Sequence, residues 1–466
     1  MAGVLAVGFM VSVQPAVTAE ATASVPVGPW RIHKGAIDGA RYTVVVPKQW
    51  NRTLVLYSHG LYPEGYPEPG VVELSNHPQT AQWLLDNGYA VAASEYKGKH
   101  GYAMEPAQSD QIALLNWFEQ RIGKPRRTLS TGQSMGGGIA AKLAERNPGR
   151  FSGVATMCAV YDFVGYMNSA LDLTFATRTL LAPGKGIDLV KAKDAAASTQ
   201  ALSDAVDEAL KTPQGRARLA LTGALGNVPA WNSTYDPKPT EVAERIRQQA
   251  AWVQGAYTWG HGPAGRAELE QRAGGNPSWN TGVDYAKLLA RSSERGLVAR
   301  AYRDAGLDGK RGLSGDLAKL ASAPRISADP NAVSYLRRYG VLDATTPAPT
   351  LALHTVGDGG APASAQRWYA GQVRRTGDPS KLRQVYSNRG MHCAFTASEE
   401  IVMIRTLERR LDTGRWPSTS PALLNRAASA FPSAFQTPAD VMGGTPKPVG
   451  PAFTHFTPPM PPRPSR

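Results

Sequence analysis

The sequence predicts an α/β fold, a mostly parallel sheet flanked by helices, with a large helical cap inserted before one of the later strands. Three observations carry this. Continuous apolar runs at 53–58, 151–160 and 350–356 read as strands covered on both faces, the mark of a parallel sheet. Helical periodicity fills the intervals between the early strands, which implies right-handed crossovers. The run at 126–131 meets Gly132-Gln133-Ser134-Met135-Gly136 and opens at once into a strong helix former, IAAKLAER at 139–146, stopped by Asn147-Pro148-Gly149.

Taken in order, 30–38 and 40–47 alternate as a hairpin with its turn at Asp38-Gly39. The strand 53–58 ends in His59-Gly60-Leu61. A helix at 78–87, a strand at 89–96 and an amphipathic helix at 107–122, with Ile112, Leu115, Phe118 and Ile122 at helical spacing, lead to the serine strand. After the strand 151–160 the rhythm breaks. From Asp162 to about Thr345 the chain is rich in Ala, Leu and Arg with helical periodicity and no buried-strand run, with landmarks at 202–210, 241–252, 264–272, 285–301 and 329–338. Trp231, Trp252, Tyr257, Trp259 and Trp279 lie in this cap, either as its own core or lining a pocket beneath it. The sheet resumes at 350–356, Gly357-Asp358-Gly359-Gly360 ends that strand, and a helix runs from Pro362 to Thr376. A strand at 382–386 leads to Asn388-Arg389-Gly390-Met391-His392-Cys393, and a helix at 397–411 closes the domain. From about Pro421 the spacing of prolines argues against regular helix or sheet, while Phe431, Phe435, Phe453 and Phe456 argue that parts of the tail pack on the domain. The resulting boundaries are a secretory signal at 1–23, a core at 24–162 and 346–418, a cap at 163–345 and a Pro-rich strap or tail at 419–466.

Ser134 reads as a nucleophile. A hydroxyl attacks only when held clear of the backbone, close to a base and beside donors for the oxyanion that forms. A tight strand-to-helix turn does this, and it leaves no room for side chains two residues either side, where Gly132 and Gly136 stand. The helix that follows aims its free N–H groups and positive dipole end at the turn, so the Met135 N–H is one candidate oxyanion donor. The loop after 53–58 supplies the other, the Leu61 N–H, with His59 bracing that loop rather than acting in catalysis.

Composition bounds the alternatives. With 466 residues, 42% hydrophobic and 19% charged, the chain suffices for one large domain with an insertion and is not wholly disordered. The net charge of +14 is dispersed, without a basic cluster interleaved with aromatics, so it reads as solubility rather than nucleic-acid binding. An apolar run at 3–13 with small-residue sites near 17–23 resembles a secretory signal, although no Lys or Arg precedes it; the alternative is a frayed terminus. No later stretch suits a membrane helix, so stable membrane insertion is not expected. Two cysteines, Cys158 and Cys393, read in an exported chain as one disulfide, with two buried free thiols as the alternative. To approach Ser134 the segment that carries His392 and Cys393 must fold back across the strand ends, past the strand that carries Cys158, so such a bond would pin that segment to the sheet.

The chain order Ser134, Asp358, His392, each at a strand end, together with WNRTLVLYSHG, GQSMGG, LHTVGDGG and GMHCAF, resembles the α/β-hydrolase superfamily over roughly 30–162 and 346–415. Within it the chain is similar to secreted, capped bacterial serine esterases and peptidases. The resemblance implies that Ser134 attacks an acyl carbonyl, His392 shuttles the proton and Asp358 orients the imidazole, with no cofactor and no metal. Tannase and fungal feruloyl esterase relatives also carry a cysteine after the histidine, but its partner precedes the serine. Gln133 occupies that place here, so their phenolic-ester specificity is not carried over.

Each role has a rival. Asp162 stands at the other strand end where such folds can carry the acid. His354, His455, His100 and His261 are read as structural or surface histidines, and Glu399 and Glu400 as helix-start acids. The expected activity is cleavage of a small-molecule or oligomeric carboxylic ester; the oligomeric state is left open. A peptidase on the same machinery would need a cap carboxylate for a substrate amine, with Asp204, Asp207, Glu241 and Glu244 as candidates. A binding protein without turnover fits poorly with all three triad residue types being present. Dehalogenases and epoxide hydrolases would place aspartate where Ser134 stands.

Overall fold

Asp38 and Gly39, at φ 50° and 90°, turn strand β1 (Trp30–Ile37) into β2 (Ala40–Pro47) with Ile37 paired to Ala40, the two-residue hairpin that an Asp-Gly pair favours. In this computed structural model residues 28–63, 70–307, 312–439 and 446–465 are described; the expected signal at 1–23 lies outside them. The remaining core elements are β3 (Thr53–Ser58), α1 (Pro78–Asp86), β4 (Ala90–Ser94), α2 (Met104–Arg121), β5 (Arg127–Gln133), α3 (Met135–Arg146) and β6 (Gly153–Met157). After the insertion come β7 (Thr350–Thr355), α13 (Ser364–Thr376), β8 (Leu382–Ser387), α14 (Ala397–Thr413), α15 (Pro421–Ser429) and β9 (Phe453–Thr454).

The sheet runs β1-β2-β4-β3-β5-β6-β7-β8-β9, parallel from β4 through β8 and antiparallel at both margins. Its two faces are read by alternate residues. Leu54 and Leu56 pack with α2, α3 and α13 through Leu115, Phe118, Ile139 and Trp368. Val55 and Tyr57 pack with α1, α14 and α15 through Leu85, Met403, Leu407 and Ala428. Every residue of β3 is buried, as its unbroken apolar run requires.

Between β6 and β7 the chain forms α4 (Phe163–Leu181), α5 (Ala195–Leu210), α6 (Pro213–Leu225), α7 (Val242–Trp252), a π-helical stretch (Val253–Gly260), α8 (Pro263–Ala273), α9 (Tyr285–Arg291), α10 (Arg295–Asp304), α11 (Leu313–Ser322) and α12 (Pro330–Gly340). These helices build their own core around Leu171, Phe175, Val206, Leu221 and Trp252. Three expectations are corrected. The helix expected at 285–301 is two, because the Ser292 backbone is extended and Ser292 Oγ accepts the Glu294 N–H, starting a new helix. The strand expected to reach Val160 ends at Met157, because Cys158 turns to φ 44°. The tail is not free of helix, since Pro421 sits at the first turn of α15, where its missing N–H costs nothing.

Among the described residues no helix is long and apolar enough to cross a membrane.

Candidate active site

β5 delivers its chain straight into Ser134, which lies at φ 54°, ψ −125°, a backbone conformation that strains any residue with a Cβ. The turn is as tight as the sequence implied. A Cβ on Gly132 would sit 2.3 Å from the Gly136 carbonyl oxygen, and one on Gly136 would sit 2.1 Å from that of Ser58. The strain is held by the sheet, where the Ser134 N–H donates to Met157 O at 2.9 Å.

From this elbow Ser134 Oγ reaches His392 Nε2 at 2.9 Å, and His392 Nδ1 donates to Asp358 Oδ2 at 2.7 Å. Asp358 is fully buried, and its other oxygen accepts the Ala361 N–H at 2.7 Å. Three residues expected at separate strand ends therefore converge in hydrogen-bonding order. Ser134 and His392 are only part-buried.

Gly60 lies against the serine: a Cβ there would be 3.4 Å from Ser134 Cβ. Leu61 follows it, and Met135 begins α3. Neither N–H makes a hydrogen bond among the described residues, which leaves both available to an oxyanion. His59 is buried, sandwiched between the Tyr62 and Tyr96 rings at 4.1 Å each. Its Nδ1 lies 2.7 Å from Gly60 O and its Nε2 3.3 Å from Glu95 O. Burial lowers its pKa to about 4, so it stays neutral and braces the loop.

Cys158 and Cys393 form a disulfide with Cα atoms 5.4 Å apart. Cys393 Sγ lies 3.3 Å from His392 Nε2, so the bond is made beside the imidazole. The group Cys158, His392 and Cys393 has the proximity of a metal site, but both sulfurs are consumed in the bond and offer no thiolate.

The rivals are accounted for. Asp162 caps α4, accepting the N–H groups of Gly165 at 2.9 Å and Ser465 at 2.8 Å. His354, inside β7, donates from Nε2 to Ala361 O at 2.7 Å and accepts from Gln366 Nε2 at 2.9 Å; burial lowers its pKa and keeps it neutral. His455 is exposed in the tail, and His100 sits in the loop bridged to Tyr62. Glu399 closes a capping box on α14 and pairs with Arg389 at 2.6 Å; Glu400 is buried against Asn76 and Thr80. Of the cap carboxylates, Asp204 accepts from Gln200, Asp207 from Gln254 and Glu244 from Arg247, while Glu241 is exposed at the start of α7.

The sequence did not reveal what the insertion does here. Trp252 presses on Gly359, where a Cβ would be 2.4 Å from its ring, and Trp231 presses on Gly390 at 2.5 Å. Trp252 Nε1 donates to Trp231 O at 2.9 Å, so the pair braces the acid and base loops together. Tyr166 OH donates to Gly360 O. Its ring meets that of His261 edge-on at 4.9 Å, and His261 Nδ1 lies 2.6 Å from Tyr102 OH. Burial and then the charge of His392 lower the His261 pKa to about 3, which makes it a neutral neighbour of the triad rather than a surface histidine. Trp259 stays half exposed and Trp279 packs against the core.

A family model for the alpha/beta hydrolase fold matches residues 53–372, and the chain belongs to that family. It is 29% identical over 428 residues to an o-phthalyl amidase of Xanthobacter agilis, covering 84% of this chain and 90% of the relative. Among solved structures it aligns with an acylaminoacyl peptidase of Pyrococcus horikoshii at 10% identity and TM-score 0.40, over 86% of this chain and 44% of that one. It aligns with Candida Antarctica lipase A at 14% identity and TM-score 0.39, over 84% and 78% of the two chains. A third alignment is with the rice cell wall degrading esterase LipA of Xanthomonas oryzae, at 14% identity and TM-score 0.34, over 82% and 89%. Family and relatives support a hydrolytic enzyme.

Proposed function

We propose that the protein is a serine hydrolase that cleaves a carboxylic ester through an acyl-enzyme. The observation that carries this is the relay from Ser134 Oγ to His392 at 2.9 Å and on to Asp358 at 2.7 Å. Ser134 attacks the acyl carbonyl while His392 Nε2 takes its proton. Asp358 holds the Nδ1–H tautomer and balances the imidazolium, and the N–H groups of Leu61 and Met135 receive the oxyanion. His392 then protonates the leaving group, and water, deprotonated by the same imidazole, releases the acid and restores Ser134.

Cleavage of an amide is a second reading, favoured by the similarity to an o-phthalyl amidase. The leaving group is then an amine, and the same imidazole must protonate it as the tetrahedral intermediate collapses. The disulfide supports export to an oxidising compartment, where two buried sulfurs stay bonded.

The test exposes purified protein to a fluorophosphonate, to short p-nitrophenyl esters and to an o-phthalyl amide, beside Ser134→Ala. The parent is expected to be labelled and to turn over substrate, and the variant to do neither. No labelling of the parent, or ester and amide turnover surviving in the variant, ends the hydrolase reading. The ratio of ester to amide turnover decides between the two readings.

A further inference from the structure

The loop at 98–103, which joins β4 to α2, belongs to the sheet domain but is held by the insertion. Glu268 of α8 accepts the Tyr102 N–H on Oε2 at 2.7 Å. Its Oε1 accepts from Arg272 Nε at 2.6 Å, so the carboxylate is aimed from both sides. Arg272 also reaches the carbonyls of Gly98 and His100 at 3.4 and 3.5 Å. The contact is close enough to require a glycine: Gly101 sits at φ 70°, and a Cβ there would lie 2.2 Å from the Glu268 carboxyl carbon. The Tyr102 side chain is tied to the same insertion through His261.

The other side of this loop faces the proposed oxyanion donor. The Gly101 N–H donates to Tyr62 O at 2.8 Å, and Tyr62 is bridged to both His100 and Gly101. Tyr62 is the neighbour of Leu61, and its ring lies flat on His59, whose own successor Gly60 touches the serine. The segment His59 to Tyr62 is thus clamped by the Tyr96 stack on one side and by Gly101 on the other. The second clamp leads out of the sheet domain, and the backbone N–H of Tyr102 beside it is held by the Glu268 carboxylate.

We propose that Glu268 is a positioning residue: by fixing Tyr102 and Gly101 it sets Tyr62, and through it the aim of the Leu61 N–H at the oxyanion. This rests on the hydrolase reading above. A donor matched to the tetrahedral oxygen rather than to the ground-state carbonyl contributes chiefly in the transition state, so its misplacement lowers kcat and leaves KM. Loss of one oxyanion donor costs roughly 10²- to 10³-fold in kcat. A donor loosened rather than removed should cost about tenfold.

The experiment compares Glu268→Met, which keeps the volume and removes the acceptor, with Glu268→Gln, which keeps an oxygen for the Tyr102 N–H. Turnover of a p-nitrophenyl ester and the rate of fluorophosphonate labelling are measured well below each variant's Tm. Glu268→Met is expected to lose about tenfold in kcat and in labelling rate at unchanged KM, and Glu268→Gln to stay within about twofold of the parent. If Glu268→Met does not fold, Arg272→Met tests the same clamp, removing both what aims the carboxylate and the contacts to the Gly98 and His100 carbonyls, with an expected two- to fourfold loss in kcat. Parental kcat in the folded variant tested, an effect confined to KM, or equal losses in Glu268→Gln and Glu268→Met overturns the proposal. A parent that is neither labelled nor active overturns the hydrolase reading instead.

Discussion

At Asp358 the two carboxylate oxygens have separate duties, one accepting the Ala361 N–H and the other the His392 Nδ1–H. Asp358→Asn keeps the shape but not the charge pattern. If its amide oxygen stays on Ala361, its NH2 faces His392 Nδ1 and forces the proton onto Nε2, which then cannot take the proton of Ser134. Ester turnover should fall on the order of 10⁴-fold in kcat with little change in Tm; a loss below tenfold would move the acid elsewhere. These three residues were legible in the sequence because each is announced locally, at a strand end within a short glycine-bearing motif. Tyr102, His261, Glu268, Trp231 and Trp252 were not, because they meet the site only across long stretches of chain, as with Tyr102 and His261, 159 positions apart. Nothing in the spacing of an aromatic along a helix says which loop of another layer it will cover.

The base loop is an element held from two sides. Met391 and Ala394 belong to the core of the insertion, whereas Cys393 and Phe395 belong to the core behind the sheet. The disulfide adds a covalent tether to β6, closing a loop over a sequence separation of 235. Replacing both cysteines by serine should lower stability by about 2–5 kcal/mol. It should also cut kcat by roughly 10- to 100-fold, the scale on which displacing a reacting group by an ångström is felt. Denaturation curves and ester kinetics on the double variant check both; full kcat in the folded protein would mean that the two packed cores alone fix His392. On the acid side, Gly359→Ala drives a methyl group into the Trp252 ring, an overpacking worth about 1–3 kcal/mol. Trp252→Leu is itself destabilising, but together with Gly359→Ala it should cost less than the sum of the two single losses, a non-additivity measurable as a double-mutant cycle. At this scale the sheet was readable because buried parallel strands are continuous apolar runs and the Asp38-Gly39 turn has its own chemistry. The break after Arg291 and the helix α15 were not, since a serine that ends one helix and starts another, or a proline at a helix start, looks in sequence like any polar or Pro-rich connection.

Across the whole molecule the C-terminal segment runs from the sheet to the insertion and is bonded to both. It pairs with β8 through Phe453 and Thr454, takes the Arg367 guanidinium on Pro458 O at 3.1 Å and the Asn227 amide on Met460 O at 2.7 Å. It ends by placing Arg463 on Asp172 of α4 at 2.5 Å and on Trp279 O at 2.9 Å. Asp172 is wholly buried, and desolvation raises its pKa from 3.8 to about 6 despite the pull of Arg463 in the other direction. The folded chain therefore keeps a proton that the unfolded chain has lost. The stability this provides is full below pH 3.8 and disappears as pH rises through about 6. Arg463→Met takes away the cation, so the carboxyl titrates higher still and the window of instability extends upward. At pH 8 the variant must either bury an uncompensated charge or take up a proton, and should lose about 3–5 kcal/mol; at pH 5, where the carboxyl is already largely protonated, the loss should be smaller. Thermal unfolding of parent and variant at the two pH values reads the difference directly. A Tm gap that is the same at both, or wider at pH 5, would show that Arg463 fastens the tail through Trp279 and packing rather than through the charge on Asp172.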